Sequence, residues 1–304
     1  ADTSGTTALN VNASAQSVGL AMVGNNGANS ISGGSGSDQI AGNGGLDSLV
    51  GGSGNDSLNG GAAADWLAGG DGNDSLTGGA GDDTLEGGLG DDWFVPGAGN
   101  DLIQGSEQRL ARWSTYVAGD WDGIGYADVT EGGIEVNLGA ATVSGPTASV
   151  GTDRYVGIER IVGTRQSDTV GGQLLDAAVE NEQHVLHFEG NGGSDTISLD
   201  SAGTARWSEG LIVRYGWSTT GIEASFTGDS GTVRYAANGA QLAGVDQFNR
   251  VSQLVDSRYN DRIDFSGMTG GWQQYWKVNS VQLTGGSDTV VGNGETWIAL
   301  DPMM

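Results

Sequence analysis

From Gly24 to Gln104 the chain repeats every nine residues, nine times without a gap. The copies read GNNGANSIS, GGSGSDQIA, GNGGLDSLV, GGSGNDSLN, GGAAADWLA, GGDGNDSLT, GGAGDDTLE, GGLGDDWFV and PGAGNDLIQ. Position eight is apolar in every copy: Ile31, Ile40, Leu49, Leu58, Leu67, Leu76, Leu85, Phe94 and Ile103. Position six is Asn29 once, then Asp38, Asp47, Asp56, Asp65, Asp74, Asp83, Asp92 and Asp101. With 57 glycines in 304 residues, an aperiodic chain would read as disordered; the strict period makes it a repeat architecture.

One apolar residue in nine is too sparse for a helix face, and the glycine density opposes a helix. The spacing predicts a three-residue strand whose middle side chain points inward, joined to the next strand by a six-residue turn. Glycine supplies the backbone angles that such turns need. Two turns and two strands then close one coil of about eighteen residues, and stacked coils pair their strands about 4.8 Å apart. The predicted fold is all-β, a parallel β-roll.

Consecutive turns lie on opposite edges of a coil, which sorts the carboxylates into two columns. Asp38, Asp56, Asp74 and Asp92 share one edge; Asn29, Asp47, Asp65, Asp83 and Asp101 share the other. Two carboxylates about 4.8 Å apart repel by roughly 1 kcal/mol in water and by about 3–4 kcal/mol at an effective dielectric near 20. Residues 1–104 hold thirteen acids and no Lys, Arg or His, so the block has no side-chain cation to neutralise them. A metal ion between successive turns would. Carboxylate and carbonyl oxygens without His or Cys are hard ligands suited to calcium; magnesium, with its strict octahedron and retained waters, suits them less. Folding of the block is expected to be coupled to that ion.

The nonapeptide GGxGxDxUx resembles the RTX family, the hemolysin-type calcium-binding repeats. The resemblance implies a parallel β-roll with calcium between stacked turns. It also implies export by a type I system, with folding delayed until the chain meets extracellular calcium. The first column keeps the full motif at four turns, so three well-formed sites are expected there. The second departs from it at Asn29, at Ala63 (where a later turn glycine belongs) and at Pro96 (where a leading glycine belongs), so up to four weaker sites are expected.

Residues 105–304 differ in kind. They contain all twelve Lys and Arg, twenty-five acids, seven of the nine Trp and all seven Tyr. The expected organisation is a cap or strand segment over 1–23, the nonapeptide β-roll over 24–104, and a degenerate RTX-like β-solenoid, broader and less regular, over 105–304. Degenerate turns place Asp168, Asp195 and Asp288 at position six, each followed two residues on by an apolar residue, and these three join the candidate metal ligands. Asp261 has the same setting but lies beside Arg258 and Arg262, which argues against a metal there. Asp168 to Asp195 and Asp261 to Asp288 each span twenty-seven residues, three repeat lengths, as wider coils would require. Alternating segments at 133–145, 210–218, 221–228 and 231–239 read as strands. "GSEQRLARW" at 105–113 is the one candidate helix.

Net charge is −26, which disfavours nucleic acid and anionic membranes as partners. No apolar run reaches the length of a membrane span, and the absence of Cys excludes disulfides and thiolate metal sites. The chain opens on Ala1 without a starting Met or cleavable leader, as expected of a processed product, a fragment or a recombinant piece. No catalytic constellation emerges. "GDSG" at 228–231 resembles the nucleophile motif of trypsin-like proteases but stands alone in a Gly- and Asp-rich chain. His184 and His187 lack the HExxH spacing of zinc proteases. Asp301-Pro302 lacks the processing module that would make it a self-cleavage site. The expected function is that of a non-enzymatic, extracellular, calcium-binding structural protein: a unit or segment of a surface layer, filament, matrix or adhesin, with copies of itself as partners. The alternatives are a calcium-stabilised module that stacks surface glycans on Trp207, Trp217, Trp272, Tyr275 and Trp276, or the RTX tail of a secreted enzyme.

Overall fold

A computed structural model describes residues 5–105, 121–172, 185–199, 210–227, 230–236, 243–249, 253–267 and 280–291. Among them every regular element is a β-strand and none is a helix. The candidate helix at 105–113, His184, the first half of GDSG, Trp207, Trp272, Tyr275, Trp276 and Asp301-Pro302 lie outside the described residues, Gly105 apart. The chain forms two compact units: Ala1–Tyr126 with Ala141–Arg160, and Ala127–Ala140 with Ile161–Met304.

The first unit is the coiled roll that the repeat demands. Strands Asn10–Asn12, Ser30–Ser32, Ser48–Ser53, Trp66–Asp71, Thr84–Leu89, Leu102–Gln104 and Thr152–Val156 pair in parallel, in that order, in one sheet. Ala21–Val23, Gln39–Gly44, Ser57–Ala62, Ser75–Ala80, Trp93–Ala98 and Gly123–Gly125 do the same in the other. Within the repeats the register is eighteen residues, Leu49 opposite Leu67 and Leu58 opposite Leu76. Every position-eight side chain from Ile31 to Ile103 is at most 2 % exposed, so the core is a single file of aliphatic layers closed by Phe94 and Ile103. The N-terminal segment contributes the first strand of each sheet, with Val11 opposite Ile31 and Met22 opposite Ile40.

The full repeat strands run six residues, not three, because the glycines after each apolar position continue the ladder: Gly61 pairs with Gly79, and Ala62 with Ala80. Backbones approach so closely there that a Cβ on Gly61 would run into the Asn43 carbonyl. Positions two and four carry positive φ, from Gly52 at 122° to Gly90 at 113°. Asn43 (79°) and Ala63 (81°) hold the same geometry without being glycine. Asn tolerates that region; alanine is strained in it.

The second unit keeps the coil but interrupts it. Glu135–Asn137, Thr169–Gly172 and Thr196–Leu199 stack in parallel, and Gly244–Asn249 joins them in parallel. Val185–Glu189, Gly210–Arg214, Gln253–Val255 and Ser280–Gln282 form the second parallel stack. Twenty-seven-residue steps recur, with Val170 opposite Ile197, Leu254 opposite Val281 and Ile263 opposite Val290. Ile222–Thr227, Ser230–Tyr235 and Gly244–Asn249, however, form an antiparallel meander, and its first strand returns to parallel pairing with Arg262–Gly267. In the first unit Thr142–Ser144 likewise pairs antiparallel with Thr152–Val156. These hairpins depart from a purely parallel solenoid. The alternating segments at 221–228 and 231–239 are joined too tightly for a parallel crossover, so they pair with each other. Phe226 stacks on Phe265 at 4.6 Å and meets Phe248 edge-on at 5.5 Å, supplying a bulkier core than one aliphatic residue per turn.

Candidate metal centres

Each position-six residue sits where a turn ends and a strand begins, with its side chain folded under the turn. There its carboxylate is buried: Asp38, Asp47, Asp56, Asp65, Asp74, Asp83, Asp92 and Asp101 are all at most 4 % exposed. One oxygen is used in building the stack. The Asp38 N–H donates to Asp56 Oδ1 at 2.7 Å, Asp56 to Asp74 at 2.7 Å, and Asp74 to Asp92 at 2.8 Å. On the other edge Asn29 donates to Asp47 at 2.6 Å, and Asp47, Asp65 and Asp83 donate to Asp65, Asp83 and Asp101 at 2.8 Å each. The two columns predicted from the period are thus two hydrogen-bonded ladders, and the structure does not rank the second below the first.

The other oxygen is left over. Oδ2 of Asp47, Asp56, Asp65, Asp74, Asp83 and Asp101 is buried without a hydrogen-bond partner, whereas Asp38 Oδ2 accepts from Gly34 N at 2.8 Å. An unsatisfied buried carboxylate oxygen is costly, and a row of them calls for a cation. Position-one glycine makes room beside it: a Cβ on Gly51, Gly69 or Gly87 would collide with Oδ2 of Asp56, Asp74 or Asp92 in the same turn. Burial pushes Asp65 and Asp74 up to about 7 and Asp83 up to about 6, opposed by the backbone N–H each accepts and reinforced by neighbouring carboxylates. Burial likewise raises Asp47 and Asp56, and lifts Asp101 to about 8.

Asn29 outlines the cradle. Its Oδ1 takes the ladder position, accepting from Leu9 N at 3.2 Å, and its Nδ2 donates to Asn25 O at 2.9 Å, Gly27 O at 2.6 Å, Gly42 O at 3.3 Å and Asp47 Oδ1 at 2.8 Å. Three carbonyls and a carboxylate, all acceptors, converge on one small donor-bearing group. Where Asp replaces Asn, an acceptor oxygen replaces the donor. An all-oxygen, flexible, anionic cradle fits calcium.

Beyond the repeats the ladder runs on through residues that the motif does not mark. Asp92 N donates to Asp122 Oδ1 at 2.9 Å, and Asp101 N to Asp153 Oδ1 at 3.1 Å. In the second unit Ile134 N donates to Asp168, Asp168 N to Asp195, and Asp195 N to Asp246, each at 2.9 Å. Asp261 N donates to Asp288 Oδ1, also at 2.9 Å. The missed rungs Asp122, Asp153 and Asp246 have lost the leading Gly-Gly pair but keep the triplet Asp-x-apolar (Asp122 with Ile124, Asp153 with Tyr155, Asp246 with Phe248), and Asp153 and Asp246 also keep the position-four glycine, as Gly151 and Gly244. Those apolar residues stand opposite Phe94, Ile103 and Ile197.

Several of these later rungs are closed by the protein itself. Tyr126 donates its hydroxyl to Asp153 Oδ2 at 2.8 Å. Tyr215 donates to Asp246 Oδ2 at 2.7 Å, and Tyr235 to Asp246 Oδ1 at 3.2 Å. Burial and the adjacent carboxylates hold these phenols well above their usual range, so they stay protonated donors. Asp168 is met by Thr164, whose N–H reaches Oδ2 at 2.9 Å and whose hydroxyl reaches Oδ1 at 2.8 Å. Asp195 instead keeps an unpartnered Oδ2, and burial with Asp246 and Asp168 nearby raises it to about 9. Of the three sequence-predicted ligands in this unit, Asp195 and Asp288 therefore have open or half-open settings, and Asp168 is satisfied locally.

The aromatic and histidine candidates resolve differently. Trp217 is half-buried, donates to Arg214 O at 2.9 Å and packs edge-on against Tyr235 at 5.1 Å. His187 is buried, with Nδ1 2.7 Å from Arg214 Nη1.

Comparison with protein families matches the RTX calcium-binding nonapeptide repeat four times, over residues 23–58, 41–76, 59–94 and 68–103. No curated protein matches the chain. Residues 23–103 belong to the calcium-binding RTX repeats.

Proposed function

We propose that this calcium-binding RTX chain is a non-enzymatic structural protein that works outside the cell, folding on calcium after export and serving as a unit or segment of a surface layer, filament, matrix or adhesin. The observation that carries it is the double row of buried, unpartnered aspartate oxygens in a block without one basic residue. Such a block is stable only where free calcium is plentiful, a condition of the extracellular medium. The first strands of both sheets, Asn10–Asn12 and Ala21–Val23, have one edge unpaired among the described residues, which offers a place for another chain to add. The packing of Trp217 against Tyr215 and Tyr235 favours this reading over a glycan platform at that residue.

Sedimentation velocity across a calcium titration tests it. The expected result is an expanded monomer in chelator that becomes compact and then enters large, chelator-reversible species. Compaction without assembly at high protein concentration would overturn the structural role and leave calcium-driven folding standing.

A further inference from the structure

We infer that the last described coil of the second unit holds a separate calcium site, built by three carboxylates, Asp256, Asp261 and Asp288. One ligand oxygen from each lies within 4.8 Å of the other two. Asp256 is fully buried and Asp261 is 3 % exposed, while Asp288 is half-buried and leaves a way in for the ion. Oδ2 of Asp256 and Oδ2 of Asp261 are both buried without a hydrogen-bond partner.

The turn replaces all three glycines of the repeat, with Asp256, Ser257 and Tyr259, and the first replacement builds the site. In "DSRYNDRID" Asp261 occupies position six, so Asp256 occupies position one, where every repeat but the last, with its Pro96, carries glycine. In the roll, that glycine abuts the unpartnered oxygen of its own turn's aspartate. Here the vacancy is filled by a second carboxylate aimed at the same place. Its other oxygen, Oδ1, is held by Thr284 N at 2.7 Å and Thr284 Oγ1 at 3.0 Å. Asp261 Oδ1 is held by Ile222 N at 2.6 Å and Ser257 Oγ at 2.7 Å. Asp288 Oδ1 accepts from Asp261 N at 2.9 Å. These hydrogen bonds orient the side chains, and one oxygen of each carboxylate comes within 4.8 Å of one from each of the others.

The neighbouring arginines do not neutralise the cluster. Arg262 turns outward to Asp264 at 3.2 Å, and Arg258 is exposed. Three converging carboxylates without a buried cation among the described residues present hard-ion chemistry, and a ligand set carrying more charge than a two-carboxylate rung binds calcium more tightly. The site joins the end of Gln253–Val255 to the starts of Arg262–Gly267 and Thr289–Val291, so its ion pins both stacks of that coil. This coil should then stay wound at calcium levels where the nonapeptide roll has opened. The inference stands whether or not the chain assembles.

Hydrogen exchange of the full chain during a calcium titration tests it, comparing peptides from 253–291 with peptides from 24–104. In the wild type, protection of 253–291 is expected at lower calcium than protection of 24–104. Asp256→Asn should raise the half-point of 253–291 about tenfold and leave that of 24–104 unchanged. An unchanged half-point in Asp256→Asn, or wild-type protection of 253–291 that persists in chelator, overturns the site. Should Asp256→Asn lose protection at every calcium level, Asp256→Gly decides, because it installs the residue that position one carries in the roll. A raised half-point in Asp256→Gly supports the site. A wild-type half-point overturns it, and so does failure to fold in saturating calcium, which would make Asp256 only the acceptor for Thr284.

Discussion

Two kinds of rung alternate in this protein, and they solve one problem in opposite ways. In the nonapeptide roll Asp47, Asp56, Asp65, Asp74, Asp83 and Asp101 each spend one oxygen on the backbone of the preceding coil and leave the other for an ion. At Asp153 and Asp246 the second oxygen is taken by a tyrosine hydroxyl, and at Asp168 by Thr164. The first solution makes folding conditional on the medium; the second makes it unconditional. The distribution of residue types follows. Tyrosine, threonine partners and basic residues appear where the ladder leaves the repeats, and none of the seven tyrosines lies in the roll itself.

The largest effect that would break this contrast is calcium removal. At neutral pH, chelator should erase nearly all amide protection in 24–104. Acid should restore it without calcium. Asp65 and Asp74 stand near 7 and Asp83 near 6 in the folded roll, against 3.8 for an ordinary aspartate, mainly because burial disfavours the charged form. The folded roll therefore binds more protons than the unfolded chain between those values. Its stability without calcium is fully present below about pH 3.8 and is lost as pH rises through 6 to 7. Circular dichroism in chelator, scanned from pH 3.5 to 8, should show β-structure fading on the alkaline side. A flat profile would mean that the roll folds without neutralising its carboxylates.

A sharper comparison sets Asp74→Asn against Tyr126→Phe. Asp74→Asn imitates the rung that Asn29 already forms. It should raise the calcium needed to fold the roll several-fold, yet stabilise the roll in chelator by removing a buried charge. Tyr126→Phe should cost about 1.5–3 kcal/mol with or without calcium, because it strips a hydrogen bond from a buried carboxylate. Denaturant unfolding of both variants in calcium and in chelator reads the signs; equal responses to calcium would erase the distinction between the two kinds of rung.

The smallest effect lies in the backbone. Ala63 holds φ 81° at position four, where Gly72, Gly81, Gly90 and Gly99 carry positive φ. Ala63→Gly should stabilise the calcium-loaded roll by about 1 kcal/mol, the order of the penalty for a Cβ in the left-handed region. A loss of stability in calcium would show that this turn has already relaxed around alanine.

Much of the roll was legible in the chain itself. A nine-residue period with one apolar residue and one carboxylate fixes strand, turn, inward face and both aspartate columns, because in a stacked coil equal spacing in sequence becomes adjacency in space. Register, core and ladder in 24–104 follow from Leu49, Leu67 and Asp56 recurring at their intervals. What the period could not show was the division of labour between Oδ1 and Oδ2. Nor could it show the continuation through Asp122, Asp153 and Asp246, whose partners lie thirty to fifty-two residues away. Their surviving signal is Asp-x-apolar, preceded by the position-four glycine only at Asp153 and Asp246, a pattern too short to stand out in an acidic, glycine-rich chain. Tertiary structure alone decided which rungs are closed by Tyr126, Tyr215 or Thr164 and which stay open. It also brought Asp256 beside Asp261 and Asp288. The reason is physical: a period encodes contacts between equivalent positions, whereas a hydrogen bond from a distant phenol depends on where an irregular segment folds back.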